Sequence, residues 1–374
     1  MRRRIVFVDD YRPANIGGGE RHLLRIARGC REAGWLTSIV CAPGSGLEAH
    51  ARQDGHEVWP VHTGRMVIRD RQALSALFAR LSPDIVHSHG FYATLIAASA
   101  ARQAEVAHIL STVHNMPSAP LHLHPNARGR LELSLRNALF RRIAQSVDRF
   151  VGVVPAVRDE LLTIGLDPDK LVVIENGIPD PAIDVRPVAV PAKSGVIRVG
   201  SVGRFERPKS YEHFISAAAI VASERDDTEF RLIGDGSLRE SLMTQAERLH
   251  LRDRIVFAGW SEDPISEIAA MDIYVVSSVT ETTNLTVLEA MGLSRPVVAT
   301  DVGGIADAVT DGVGGYIVPP RREDLLARRI CELAADAALR ESMGAAGRRR
   351  FEESYTEERM ITRHLDLYDQ LAGA

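Results

Sequence analysis

The chain has 374 residues, enough for two domains of about 150 residues each, and its 45% hydrophobic and 25% charged residues exclude a disordered, collagenous or fibrous protein. With 45 Lys and Arg against 49 Asp and Glu the net charge is −4, so no nucleic-acid partner is expected. Three scattered cysteines, Cys30, Cys41 and Cys331, form no CxxC pair, which argues against a disulfide framework or a zinc cluster and for reduced thiols in a cytoplasmic protein.

After the basic Arg2 to Arg4, the apolar run Ile5 to Val8 is too short for a signal peptide. Phe91 to Ala101, the longest weakly polar stretch, is too short to span a bilayer. Short β-branched runs then alternate with helical periodicity. Strands are expected at Ile5–Asp9, Leu36–Cys41, Asp84–His87, Ile109–Val113, Phe150–Val154 and Leu171–Ile174. A second series follows at Ile197–Gly203, Phe230–Gly234, Ile255–Gly259, Ile273–Ser278, Pro296–Thr300 and Tyr316–Val318. Continuous apolar runs of this kind suit parallel strands covered on both faces.

Between the two series, Pro179 to Gly195 carries four prolines and no periodic pattern, and reads as a linker. The expected organisation is two Rossmann-like, doubly wound α/β domains facing across a cleft. They occupy 1–180 and 196–355, with 181–195 between them. A C-terminal helix at 356–374 is expected to pack back toward the N-terminal domain. Ligands of such sheets bind beyond the strand C-termini, which is where chemistry is sought.

Gly17-Gly18-Gly19-Glu20 lies between the first strand and an amphipathic helix, where backbone N–H groups can meet an anion. A turn needed only for packing would look the same. A dinucleotide fingerprint is disfavoured, because the second strand runs into Ala42-Pro43-Gly44 without a ribose-binding acid. In the second half, Gly203 to Ser210 places Arg204, Arg207 and Lys209 on one loop; such cations suit a diphosphate, or simply a solvated surface. Glu281 and Glu289 lie eight positions apart, the first on a loop and the second within an apolar helical run. At about 100° per residue, eight steps leave Glu289 only about 80° beyond two full turns, able to look back toward that loop. A carboxylate among Val287, Leu288, Ala290 and Met291 needs partners, and ligand hydroxyls would serve. A glutamate on an exposed helix face is the plainer alternative.

The Glu281-x7-Glu289 stretch resembles the Glu-x7-Glu motif of the retaining GT-B glycosyltransferases of family 4 (GT4, glycosyltransferase group 1), and the likeness continues along the chain. Gly17 to Arg21 is similar to the family's N-terminal glycine loop, Asp84 to His89 to its histidine-bearing strand end, and Thr112 to Asn115 to its active-site histidine segment. Glu175 to Ile178, Gly203 to Lys209, Gly234-Asp235-Gly236, Leu288 to Met291 and Pro296 to Gly304 follow in the family's order. The resemblance implies transfer of a hexose or N-acetylhexosamine from a nucleotide diphosphate sugar, such as a UDP- or GDP-sugar, to a hydroxyl of a glycan, lipid-linked or small-molecule acceptor, with retention. It implies catalytic roles for Glu281, His114, Arg204 and Lys209. Donor contacts would come from Gly17, Gly18, Arg204, Lys209, Glu281, Asn284, Leu285, Thr286 and Glu289. The chain departs from the family pattern at Thr282-Thr283-Asn284 and at Val154-Pro155.

No cofactor and no metal are expected, since neither His87-x-His89 nor His122-x-His124 is completed to a ligand set by a carboxylate or cysteine nearby. Residues 128–143 alternate arginines with leucines; they can face a cleft or touch an anionic membrane from the cytoplasmic side. Two rival readings stay open: a nucleotide-sugar epimerase of the same fold, and a catalytically inactive nucleotide-sugar-binding protein. A glycoside hydrolase would use two carboxylates as well, but has no need of a diphosphate clamp.

Overall fold

The computed structural model describes residues 3–10, 13, 16–61, 67–118, 126–183, 185–186 and 195–373. In chain order the elements are β1 (Arg4–Asp9), α1 (Gly18–Glu32), β2 (Leu36–Cys41), α2 (Gly46–Gln53), β3 (Glu57–Pro60), α3 (Val67–Leu81), β4 (Ile85–His89), α4 (Phe91–Gln103), β5 (His108–Val113), α5 (Ala127–Ala144), β6 (Arg149–Gly152), α6 (Pro155–Ile164) and β7 (Leu171–Val173). There follow β8 (Ile197–Val202), α7 (Tyr211–Glu224), β9 (Thr228–Ile233), α8 (Arg239–Arg248), β10 (Ile255–Gly259), α9 (Pro264–Ala269), β11 (Ile273–Val276), α10 (Leu285–Gly292), β12 (Val297–Thr300), α11 (Ile305–Ala308), β13 (Gly315–Val318), α12 (Glu323–Ala335), α13 (Ala337–Ser354) and α14 (Glu357–Ala372). They form two compact units, Met1–Gly177 with Glu357–Ala374, and Ile178–Thr356.

In the first unit a parallel sheet has the order β3-β2-β1-β4-β5-β6-β7. Alternate residues of β1 serve two cores. Val6 and Val8 pack with Phe78, Phe140 and Phe150 on one face, and Ile5 and Phe7 with Leu23, Ile26 and Tyr368 on the other. β3 was not among the expected strands: it is a short edge strand, Glu-Val-Trp-Pro, with no apolar run to announce it. The expected strand Phe150–Val154 stops at Gly152, because Pro155 opens α6 and sets its first turn.

α14 belongs to this first unit. Met360, Leu367 and Tyr368 enter the α1 side of its core, and Gly29 of α1 allows a close approach: a Cβ there would lie 2.3 Å from Ile361 Cγ2. Arg25 and Arg28 both hold Glu357 at the helix start, the former at 3.2 Å.

The second unit has the parallel order β10-β9-β8-β11-β12-β13. The unit boundary falls before Ile178, ahead of the expected linker. Pro181 is buried in the second unit and would lie 2.5 Å from a Cβ placed on Gly292. Asp180 accepts two 2.6 Å hydrogen bonds from Arg348. Residues 187–194 of the expected linker are outside the described residues. Among the described residues no helix is long and apolar enough to cross a membrane.

Candidate active site

Each sheet reverses its strand order once, between β1 and β4 and between β8 and β11, and a doubly wound sheet opens its ligand crevice beyond the strand ends at such a reversal. The candidate residues gather at these two places, one in each unit.

In the second unit β8 leads into the loop Gly203 to Ser210. Glycine is required nearby: a Cβ on Gly234, at φ +138°, would lie 1.9 Å from the Gly203 carbonyl oxygen. Phe205 is buried and anchors the loop, while Arg204 beside it is exposed. The loop after β11 is stitched to this one. The Val279 N–H donates to the Pro208 carbonyl at 2.9 Å, and the Ser277 hydroxyl lies 3.1 Å from the carbonyls of Lys209 and Ser210. This brings Lys209 Nζ to 2.7 Å from Glu281 Oε1. The same oxygen accepts from the Ser278 hydroxyl at 2.8 Å and from Asn284 Nδ2 at 3.4 Å. Behind it stands Gly303 at φ +57°, where a Cβ would lie 2.2 Å from the Glu281 carbonyl oxygen.

Asn284 caps α10, its Oδ1 accepting from the Thr286 N–H at 3.2 Å and the Thr286 hydroxyl at 2.6 Å. The Thr286 N–H is therefore committed to the cap, which removes it from the anion cradle expected over Asn284 to Thr286. Tyr274 ties this helix to β8: its hydroxyl lies 2.5 Å from Thr286 Oγ1 and 3.3 Å from the Val202 carbonyl. Burial raises the Tyr274 hydroxyl pKa, and the Glu289 charge adds to the rise, which places Glu289 on the Tyr274 side of α10, half-buried.

In the first unit Gly17 precedes α1, and its N–H donates to Glu20 Oε2 at 2.6 Å. Gly17 is thus occupied rather than free for an anion. The first-turn N–H groups of Gly18 and Gly19 are what this helix end can offer. Burial raises the Glu20 carboxyl above its ordinary value. His114, just past β5, stacks on His89 at 25°, with Nε2 at 3.0 Å from His89 Nδ1. Burial, with a smaller contribution from His364, lowers His114 to about 4, so it is a neutral imidazole near pH 7. His87 is satisfied on both nitrogens, by the Tyr368 hydroxyl at 2.7 Å and Thr112 Oγ1 at 2.8 Å. His122 and His124 lie outside the described residues.

Ser277, Ser278, Tyr274 and His22 are parts of these sites that sequence reasoning did not single out. The two serines sit directly after a strand at the reversal point, a position that could have marked them. Tyr274 falls within an expected strand and His22 just after the glycine turn, positions that carry no chemical mark of their own.

Both halves match known families. Residues 16–180 match the model for Glycosyltransferase Family 4, and residues 197–336 the model for Glycosyl transferases group 1. The fold is that of GT-B glycosyltransferases: a structure of Anabaena HepE in complex with UDP superposes with a TM-score of 0.83 over 98% of this chain and 100% of that one, at 18% identity. A sucrose-phosphate synthase structure from Thermosynechococcus elongatus gives 0.80 over 99% of both, at 20% identity. The chain belongs to the group 1, GT4-type glycosyltransferases and is an enzyme of that kind, transferring a sugar from a nucleotide sugar. In sequence it is similar to the alpha-maltose-1-phosphate synthase of Mycobacterium tuberculosis, 28% identical over 333 residues, covering 80% of this chain and 84% of that protein. It is also similar to the alpha-D-kanosaminyltransferase of Streptomyces kanamyceticus, 35% identical over 144 residues, 38% of this chain and 37% of the other.

Proposed function

We propose that this enzyme transfers a hexose or N-acetylhexosamine from a nucleotide diphosphate sugar to an acceptor hydroxyl with retention of the anomeric configuration, in the cytoplasm and without a metal at the diphosphate. The observation that carries the reading is the contact of Lys209 with Glu281 at a strand-order reversal. An ammonium has three donors, so Lys209 can hold Glu281 and still meet a phosphate oxygen. Arg204, exposed on the same loop, supplies a second cation. Charge accumulates on the diphosphate as the glycosidic bond breaks, and fixed cations there lower the barrier. Glu281 accepts from donor-sugar hydroxyls, Glu289 holds the ribose hydroxyls, and neutral His114 lies beside the reacting sugar. UDP and UDP-glucose, bound in structures of Anabaena HepE, favour a uridine donor. The α-products in the names of two relatives accord with retention from an α-linked donor. Calorimetric titration with UDP-, GDP-, ADP- and dTDP-sugars, then product analysis by NMR, tests this. Binding of one donor and an α-linked product is expected; an inverted product or no donor binding overturns it.

A lipid-linked acceptor is favoured by α5. Its Leu131 and Leu135, 63% and 60% exposed, and Leu139 recur every four residues on the outward face. The helix also carries Arg128, Arg130, Arg141 and Arg142. Such a face suits an anionic lipid surface. Sedimentation with vesicles containing anionic lipid should capture the protein, and Leu131→Ser with Leu135→Ser should release it; equal capture by neutral vesicles would overturn the reading.

A further inference from the structure

The first unit brings together three histidines that are far apart in sequence: His22 from α1, His89 from the end of β4, and His114 just past β5. One ring nitrogen of each lies within 4.8 Å of the others. His22 meets the His114 ring edge-on, at 85° with centroids 5.0 Å apart, and His89 and His114 already touch through Nδ1 and Nε2 at 3.0 Å. Among the described residues, the group of ligand atoms that meet here is three imidazoles with no carboxylate and no thiol.

The hydrogen bonding of this cluster does not close. His22 is 2% exposed and His89 1%, yet both nitrogens of His22 and Nε2 of His89 have no hydrogen-bond partner among the described residues. A buried polar group without a partner is costly, and a histidine kept only for packing would be satisfied, as neighbouring His87 is by Tyr368 and Thr112. A phenylalanine would fill the His22 site without that cost.

We propose that His22, His89 and His114 form a binding site for a late first-row transition-metal dication, with Zn²⁺ as the reference ion. Three neutral imidazoles suit Zn²⁺, Ni²⁺ or Cu²⁺ and not the hard, oxygen-seeking Mg²⁺ or Ca²⁺. Three protein nitrogens with a fourth position left to solvent or substrate is an arrangement zinc adopts. Ligands about 2.0–2.1 Å from a tetrahedral centre stand about 3.3 Å apart. The His89 and His114 nitrogens, 3.0 Å apart, need part by only a few tenths of an ångström, and the His22 nitrogen, within 4.8 Å of the others, must move closer to them. The metal enters from the side of His114, the one of the three that is partly exposed, beside Gly19, which has no side chain to cover the ring. Each ligand comes from a different element of one unit, so the fold and not local spacing makes the site.

The test uses full-length protein freed of any affinity tag and of adventitious metal by chelator and dialysis. Titration with Zn²⁺ by calorimetry should give one tight equivalent, and Co²⁺ should develop the intense visible bands of a tetrahedral centre. His22→Gln and His89→Gln should each weaken binding by more than the roughly 10-fold that loss of even an outer-shell partner costs, whereas His50→Gln, at an exposed position on α2, should bind as wild type. Circular dichroism checks that the variants are folded. Should a variant fail to fold, the X-ray absorption spectrum of zinc-loaded wild type decides alone, and three imidazole ligands are expected. The proposal is overturned by the lack of a saturable single equivalent in wild type, by full affinity in both variants, or by a spectrum showing fewer than three imidazoles. None of these readouts depends on the sugar transfer.

Discussion

Lys209 and Glu281 are 72 residues apart in sequence and 2.7 Å apart in space. The contact is made by backbone stitching, since Val279 and Ser277 bind the carbonyls of Pro208, Lys209 and Ser210 and so lock the two loops in register. On the proposed function, the cation that neutralises the leaving diphosphate also fixes the carboxylate that reads the sugar, and removing either disturbs the other.

Lys209→Ala and Arg204→Ala are expected to lower kcat by about 100- to 1,000-fold, the usual loss for one group that stabilises developing charge, with a smaller rise in KM. Steady-state kinetics at varied donor decide it. A change confined to KM in both variants would mean that the cations hold the donor without helping it depart.

Glu289→Gln should weaken nucleotide-sugar binding by about 1.5–3 kcal/mol, because a charged acceptor of ribose hydroxyls becomes a neutral one. The readout is the calorimetric dissociation constant. An unchanged value in a folded variant removes Glu289 from the donor site.

The strands that carry these groups were legible because fully buried parallel strands leave apolar runs, as Ile273 to Val276 and Val297 to Thr300 do. β3 left no such mark, because an edge strand can be short and polar. Motifs marked the glutamates, Lys209 and His114 as candidates. Which backbone N–H groups remain for an anion was not legible. Gly17 spends its N–H on Glu20, and Thr286 spends its own on Asn284, choices set by side-chain reach rather than residue type. The histidine cluster was hidden for a different reason. Spacing within β4 shows only His87 and His89, while His22 arrives by the packing of α1 against the sheet.

Acid should destabilise the first unit. Burial lowers His22, His87 and His89 well below 6.5, and His114 and His364 to about 4. Below pH 6.5 the unfolded chain takes up protons that the folded one refuses. Stability is therefore fully present above that pH and falls as pH drops toward about 4, by up to about 1.4 kcal/mol per pH unit for each such histidine. Urea midpoints of metal-stripped protein at pH 7.5, 6.5 and 5.5 should decline over the lower interval, and His364→Gln should flatten the decline. A midpoint constant from pH 7.5 to 5.5 would contradict the burial of these rings.

Chelator should leave turnover intact, since the proposed diphosphate clamp uses Arg204 and Lys209. Added Zn²⁺ should lower turnover by drawing His114 into the metal site. Loss of activity in EDTA, restored by Mg²⁺ or Mn²⁺, would show that a metal serves the diphosphate after all.

Asn284 and Thr283 stand side by side in the segment that departs from the family pattern, and the structure separates their expected effects. Asn284 Oδ1 takes the Thr286 N–H and hydroxyl, and Nδ2 reaches Glu281. Asn284→Ala removes a helix cap worth about 1 kcal/mol and one support of Glu281, so it should weaken binding of every nucleotide diphosphate sugar alike. Thr283 is half-buried, and its hydroxyl has no hydrogen-bond partner among the described residues, so a donor-sugar hydroxyl is a natural partner. Thr283→Gly, and Thr282→Gly beside it, should shift the preference among sugars carried on one nucleotide while leaving affinity for the free nucleotide unchanged. Competition between paired donors, read as a ratio of kcat/KM, measures this directly. If both threonine variants keep the wild-type ratio, neither hydroxyl reads the sugar, and selectivity resides in residues outside this segment.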